Sequence, residues 1–195
     1  MLDNCLREIV TRFNDFVMLP KTVLSGGISG VSEVLVLADI ARHEKQQESD
    51  DLMQDKLILT LISLEEENTL KNNYPVKQEQ SVTIFQKPAL YLNLHLLFSS
   101  NFKLYTEALK HLSLVLQFFQ ANQNIIYTDE FSNTYKLTFS MHNIGFENLH
   151  NLWTVLGGHS MPSVVYKARL LYVQQSPLAG ADVITNIHSK EYLDQ

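Results

Sequence analysis

The chain has 195 residues, 45% of them hydrophobic, with 15 Lys and Arg against 21 Asp and Glu, a formal charge of −6. That is enough chain for about one domain with its own core, and the acidity excludes a general nucleic-acid binder, which needs a basic face. One cysteine, Cys5, excludes a disulfide scaffold and a cysteine-rich zinc site, no apolar run approaches the ~18 residues of a membrane span, and Asp3 and Glu8 do not suit a secretory leader. Charged residues make up 18%, below the ~25% of an ordinary domain, which suits a subunit with several protein neighbours. The cysteine usage reads as a reducing compartment.

Helical spacing of Leu2, Leu6, Ile9, Val10, Phe13, Phe16 and Val17 predicts an amphipathic helix over residues 2–18, stopped by Pro20. Residues 21–30 read as a flexible joint. Residues 33–41 and 56–65 read as two strands around a charged loop, 42–55, hence as a long hairpin. Residues 66–87 read as irregular, with Asn72, Asn73 and Pro75 as turn markers.

Residues 89–98 alternate most clearly: Leu90, Leu92, Leu94, Leu96 and Phe98 share one face, and Tyr91, Asn93 and His95 the other. A second helix is predicted over 103–120, with an apolar stripe of Tyr105, Ala108, Leu109, Leu112, Val115, Leu116 and Phe119. Asn101 or a neighbouring serine is its candidate cap. Residues 134–141 alternate with Tyr135, Leu137, Phe139 and Met141 inward, and 146–156 form a short helix ended by Gly157 and Gly158. Residues 163–174 are the last long strand, and a short strand is expected near Val183–Ile187. The order α, β, β, β, α, β, α, β predicts an α/β (α+β) fold. It has a single mixed, largely antiparallel sheet of about four to six strands, covered by about three helices.

Few groupings point to chemistry. SGGISG lacks the Gly-Lys-Ser/Thr ending of a phosphate loop and reads as a hinge. His142, His150 and His159 cluster late in the chain without zinc-ligand spacing, and His95 and His111 lie in a strand and a helix. No nucleophile elbow or cysteine–histidine signature occurs, and Cys5 and Trp153 read as core residues. Glu65, Glu66 and Glu67 form an acidic run at a strand end. In an extended chain they point alternately to opposite faces, so they do not converge as an acid–base pair.

Four segments carry a family resemblance: LDNCLREIVTRFNDF (2–16), ISLEEENTLKNN (62–73), PALYLNLHLLFSSNFKLYTEALKHLSLVLQFFQ (88–120) and NLWTVLGGHSMPSVVYKARLL (151–171). In this order they resemble the tail-terminator or cap-protein family of contractile injection systems, phage-tail-like particles with an inner tube and a contractile sheath. The resemblance covers most of residues 2–174, which makes 1–174 the expected domain and 175–195 a C-terminal extension.

The resemblance implies a structural cap: a ring, expected to be a homohexamer, on the baseplate-distal end of the tail, where it stops polymerisation. The implied partners are further copies of the chain, the inner tube protein, the sheath protein and a second cap paralogue where one exists. No cofactor, metal, catalysis, nucleic acid or membrane span is implied. The implied location is the cytoplasm during assembly and then the particle, released or cell-anchored. The candidate subunit or sheath interface comprises Glu65, Glu66, Glu67, Thr69, Asn72 and Asn73, with Lys167 and Arg169 as basic partners on one face of the last strand. Two other readings stand beside the cap: a baseplate or tube-joining component of the same particle, and a small-molecule-binding module between sheet and helices.

Overall fold

The computed structural model describes residues 2–18, 33–42, 53–67, 76–79, 82–85, 90–130, 133–157, 160–173 and 178–182. Helix α1 runs Leu2–Met18, α2 Tyr105–Ala121 and α3 Phe146–Val155. The strands are β1 (Leu35–Leu37), β2 (Lys56–Glu66), β3 (Val76–Glu79), β4 (Val82–Phe85), β5 (Leu90–Asn101), β6 (Asn124–Thr128), β7 (Thr134–Met141), β8 (Ser163–Val173) and β9 (Leu178–Asp182). Six strands form a mixed sheet in the order β1-β2-β5-β8-β7-β6, and β3-β4-β9 form a smaller antiparallel sheet. The α+β architecture, the mixed sheet and the three helices match the expectation, and the three-stranded sheet adds to it.

The first two strands do not make a hairpin. β1 pairs with β2 in parallel, Leu35 opposite Leu57 and Leu37 opposite Leu59. The expected strand over 33–41 shrinks to three residues because Asp39 Oδ1 accepts the Ala41 N–H, an Asx turn that leads into the 3-10 turn Ile40–Arg42. The stretch 66–87 is not wholly irregular: β3 and β4 pair antiparallel within it, and β9, from the segment beyond residue 174, pairs with β4. The joint at 21–30, Pro20, Gly158, His159, most of the loop 42–55 and the strand expected near 183–187 lie outside the described residues.

Leu92, Leu94, Leu96 and Phe98 of β5 point as their alternation requires, into the larger core beneath α1 and α2. Phe118 of α2 meets Phe13 and Phe16 of α1 edge-to-face, at centroid separations of 5.3 and 5.5 Å. The buried side of α2 is rotated from the expected stripe. Ala108, His111, Leu114, Val115, Phe118 and Phe119 face in, while Tyr105, Leu109 and Leu116 are exposed. His111 is buried because its ring stacks on Phe102 at 4.1 Å and its Nδ1 lies 2.8 Å from the Glu107 carbonyl oxygen.

Neither Asn101 nor a serine caps α2. Leu104 holds the N-cap position without a side-chain bond, Asn101 Nδ2 donates to the Met53 carbonyl, and Ser100 Oγ donates to the Ala108 carbonyl. Met141, expected inward, and Phe146 of α3 are exposed, at the end of β7 and the start of α3. Trp153 of α3 is buried as expected, in a second core with Ile40, Met53, Ile58, Leu97 and Val165 on the other sheet face. Gly157, just past α3, has φ +114°, the conformation that makes glycine the favoured residue after a helix end.

Candidate interaction surface

The sheet face that carries α3 is apolar at one end and polar at the other. Ile58, Leu97 and Val165 lie in the core around Trp153. Further along the same strands come two cross-strand rows. The first is Ser63, His95, Lys167 and Ser140, and the second is Glu65, Asn93, Arg169 and Thr138. The period of two that sends the leucines of β5 and β8 into the core necessarily sends these residues the other way.

On β2 this alignment depends on one irregularity. The register with β5 shifts between Leu61 and Ser63, so Ile62 is an extra residue. Without the shift, Leu64 would oppose Asn93 and Glu65 would oppose Leu92. With it, Glu65 joins the polar row and Leu64 opposes Leu94. The bulge thus sets Glu65 on the polar face and turns Leu64, which stays 46% exposed, and Glu66 to the other.

Charge is arranged by strand across this surface. The β2 end is acidic, with Glu65 and Glu67. The β5 column, Asn93 and His95, is neutral, and Lys167, Arg169 and Lys136 make the β8 and β7 side basic. The strands that carry the acidic and basic columns stand about 10 Å apart, two strand spacings. Burial lowers the His95 pKa, Glu65 raises it, and His142 and Lys167 lower it again, so the ring is held neutral at pH 7. Its Nδ1 lies 2.9 Å from Ser63 Oγ and its ring 5.0 Å from that of His142. Ser63 and His95 are nucleophile and base by type. They are neighbours in one cross-strand row, beside the register shift at Ile62.

Of the residues singled out in the sequence, Glu65 and Glu67 come together with Arg169. Glu67 accepts from Asn93 Nδ2 at 3.0 Å and pairs with Arg169 Nη2 at 3.6 Å, while its N–H donates to the Tyr91 carbonyl. Glutamate and arginine therefore already meet within one chain. Lys167 sits one row away, half-buried opposite His95. Glu66 opposes Leu92 and points to the other side. Thr69, Asn72 and Asn73 lie outside the described residues.

Sequence reasoning missed Asn93 and His95 as members of this surface, although both stand on the non-leucine face of LYLNLHLLF. Asn93 is buried, and its Oδ1 has no hydrogen-bond partner among the described residues. A groove of about 380 Å³ lies elsewhere, between α1 and β1. Its polar lining, Arg7, Thr11, Glu33 and Lys56, includes an Arg7 already bonded to Asp3. No group of three or more metal-ligating side chains occurs among the described residues, and no described helix is long and apolar enough to cross a membrane.

Known proteins share this fold. The model of the Pvc16 N-terminal domain matches residues 17–185. Among solved structures, the PVC sheath/tube terminator of an extracellular contractile injection system, in its extended state, is similar at a TM-score of 0.50. Identity is 13%, and the match covers 72% of this chain and 51% of that one. The anti-feeding prophage cap, a tube terminating cap, is similar at a TM-score of 0.51 and 12% identity, over 70% of this chain and 49% of that one. This chain therefore spans about half the length of these two proteins. No curated protein sequence matches it. The family match takes in every described strand of both sheets and the whole of α2 and α3: the chain belongs to the family of the Pvc16 N-terminal domain.

Proposed function

We propose that the protein is a structural cap of a contractile injection system. It terminates the inner tube and sheath at the end away from the baseplate and stops further polymerisation. The observation that carries this reading is the family match over residues 17–185. The fold shared with two terminators supports it.

Copies of the chain assemble into a ring, taken as a homohexamer, through a heterologous interface that closes. The tube protein and the sheath protein are its other partners. The protein works without catalysis or a cofactor, assembles in the cytoplasm and ends in the particle. The surface around Glu65, Glu67, Lys167 and Arg169 meets one of these neighbours. Its separated acidic and basic columns set the register of docking more than its strength, because exposed ion pairs contribute little net energy.

Electron microscopy of particles from cells lacking the protein tests the cap. Overlong, irregular or open-ended tails are expected. Particles of normal length with an intact distal cap would overturn the proposal.

A further inference from the structure

Two histidine rings meet on the polar face of the larger sheet. His95 stands on β5, and His142 follows the last residue of β7, where its N–H donates to the Val165 carbonyl and keeps it in register beside β8. Both side chains leave the sheet on the face that carries α3. Their ring centroids lie 5.0 Å apart, with the planes tilted by 58°. Two imidazoles that share one zinc ion, each with a nitrogen ~2.1 Å from the metal and at a tetrahedral angle, hold their centroids about 5 Å apart. A partner that aims the first ring is also in place, because Ser63 Oγ lies 2.9 Å from His95 Nδ1. The tautomer that donates Nδ1–H to this oxygen leaves Nε2 with its lone pair, the arrangement that metal-binding histidines keep. Burial holds the His95 ring neutral at pH 7, so no proton has to leave it first.

We propose that His95 and His142 together bind one divalent transition-metal ion of the zinc type, and that this ion ties the end of β7 to β5 across β8. Imidazole selects such ions over magnesium and calcium, which take oxygen ligands. No third ligating side chain stands close enough to join the pair among the described residues, so water completes the shell. His142 is exposed, which gives the ion access from solvent. Glu65, whose charge acts on His95, offsets part of the charge of the ion. Lys167, opposite His95 on β8, opposes the ion, and its long flexible stem lets the ammonium turn to water. The ion serves no reaction. It stabilises the fold by mass action, because the unfolded chain does not hold the two rings together.

The test uses the full chain, zinc chloride as the probe and the ring-proton NMR signals of all seven histidines. At pH 7.5, about one equivalent of zinc is expected to shift the His95 and His142 signals together and to raise the Tm. His95→Gln and His142→Gln should each weaken binding by about tenfold or more, because the remaining imidazole loses its intramolecular partner. His142 is exposed, so its replacement leaves the core intact even if His95→Gln does not fold. Lys167→Gln, which removes a neighbouring positive charge, should tighten binding about threefold. Zinc shifts confined to His43, His111, His150, His159 or His188 would overturn the proposal, as would equal affinity in His142→Gln. An equal response to magnesium chloride would also overturn it, in favour of an ion held by carboxylates.

Discussion

Arg12 and Asn14, two residues apart on α1, hold main-chain groups on opposite edges of the six-stranded sheet. Arg12 Nη2 donates to the Ile126 carbonyl of β6. Asn14 Oδ1 accepts from Val34 and Leu35 N–H, and its Nδ2 donates to the Leu35 carbonyl at 3.0 Å. In a flat sheet of this order the two edge strands would lie about 24 Å apart, five strand spacings. A helix with its side chains is about 10–12 Å across. One helix reaching both edges requires a strongly curled sheet with α1 lying along the gap. The two arms differ in kind. Asn14 imitates the peptide group of a missing neighbour strand and satisfies Leu35 fully, whereas Arg12 meets the single carbonyl of Ile126.

Asn14→Ala tests the first arm. It removes three hydrogen bonds and leaves two N–H groups and a carbonyl of a part-buried edge to find water. A loss of about 1–3 kcal/mol is expected in urea unfolding. Asn14→Asp keeps the acceptor but sets a carboxylate against the Leu35 carbonyl, so it should recover only part of the loss. Stability unchanged in Asn14→Ala would mean that the imitation of a strand contributes nothing.

Cys5 reports whether α1 stays in place. Its side chain is fully buried. Burial pushes its pKa up, the N-terminus opposes this, and Asp129 and Glu8 add to it, for a value of about 11. At pH 8 little thiolate exists and none is accessible, so a disulfide reagent should label the folded protein far more slowly than the urea-unfolded chain. Asn14→Ala should speed native labelling. Equal rates for folded and unfolded protein would show that α1 does not stay docked.

How much of this was legible in the residues depended on which physical signal each element carried. β5 was plain because its leucines recur at every second position and only one sheet face can take them. The pairing of β1 was not, because a period of two gives a strand and a face but no direction. The short span of β1 ends at Asp39, whose side chain bonds two residues ahead. α2 misled because it is apolar on two sides. Tyr105, Leu109 and Leu116 fit helical spacing as well as the buried set, and His111 counts as polar in any pattern, although Phe102 stacks on it. The surface was half legible. Lys167 and Arg169 follow from alternation on β8, and Glu65 and Glu67 from alternation on β2. Glu65 reaches that face only through the extra residue at Ile62, which no local pattern marks.

The pairing of Glu67 and Arg169 predicts unequal losses on truncation. The Arg169 side chain is 53% exposed and that of Glu67 16%. Arg169→Ala removes a long, partly solvated ion pair, a change of about 0–1 kcal/mol. Glu67→Ala also leaves Asn93 Nδ2 without its acceptor beside an Oδ1 that has no partner among the described residues, so it should cost about 1–3 kcal/mol. Chemical denaturation of both variants and of the double variant checks this. Equal losses would mean that the Asn93 bond does not contribute. Arg169→Glu, which replaces one cation of the basic column with an anion, should weaken ring assembly or docking on tube and sheath. Normal rings from that variant that still terminate tube and sheath would remove this surface from the interface.

The pH dependence of stability follows from His95. Burial lowers its pKa in the folded state, with His142 and Lys167 adding to this and Glu65 opposing it. The unfolded chain has the ordinary value of about 6.5. Between the two values the unfolded state binds more protons, so stability falls as pH falls. The contribution of neutral His95 is thus fully present above about pH 6.5 and is lost as pH drops through that value toward the lower folded one. A charged His95 would stand beside Lys167 and 5.0 Å from the ring of His142, with Glu65 as the acidic group facing it. His95→Gln keeps a polar side chain able to bond Ser63 and cannot gain the charge. Urea midpoints at pH 7.5 and pH 5 should fall more for the wild type than for His95→Gln. A matching fall in both would place the acid sensitivity elsewhere. A direct proton titration of the His95 ring at or above the ordinary histidine value would show that burial does not hold it neutral.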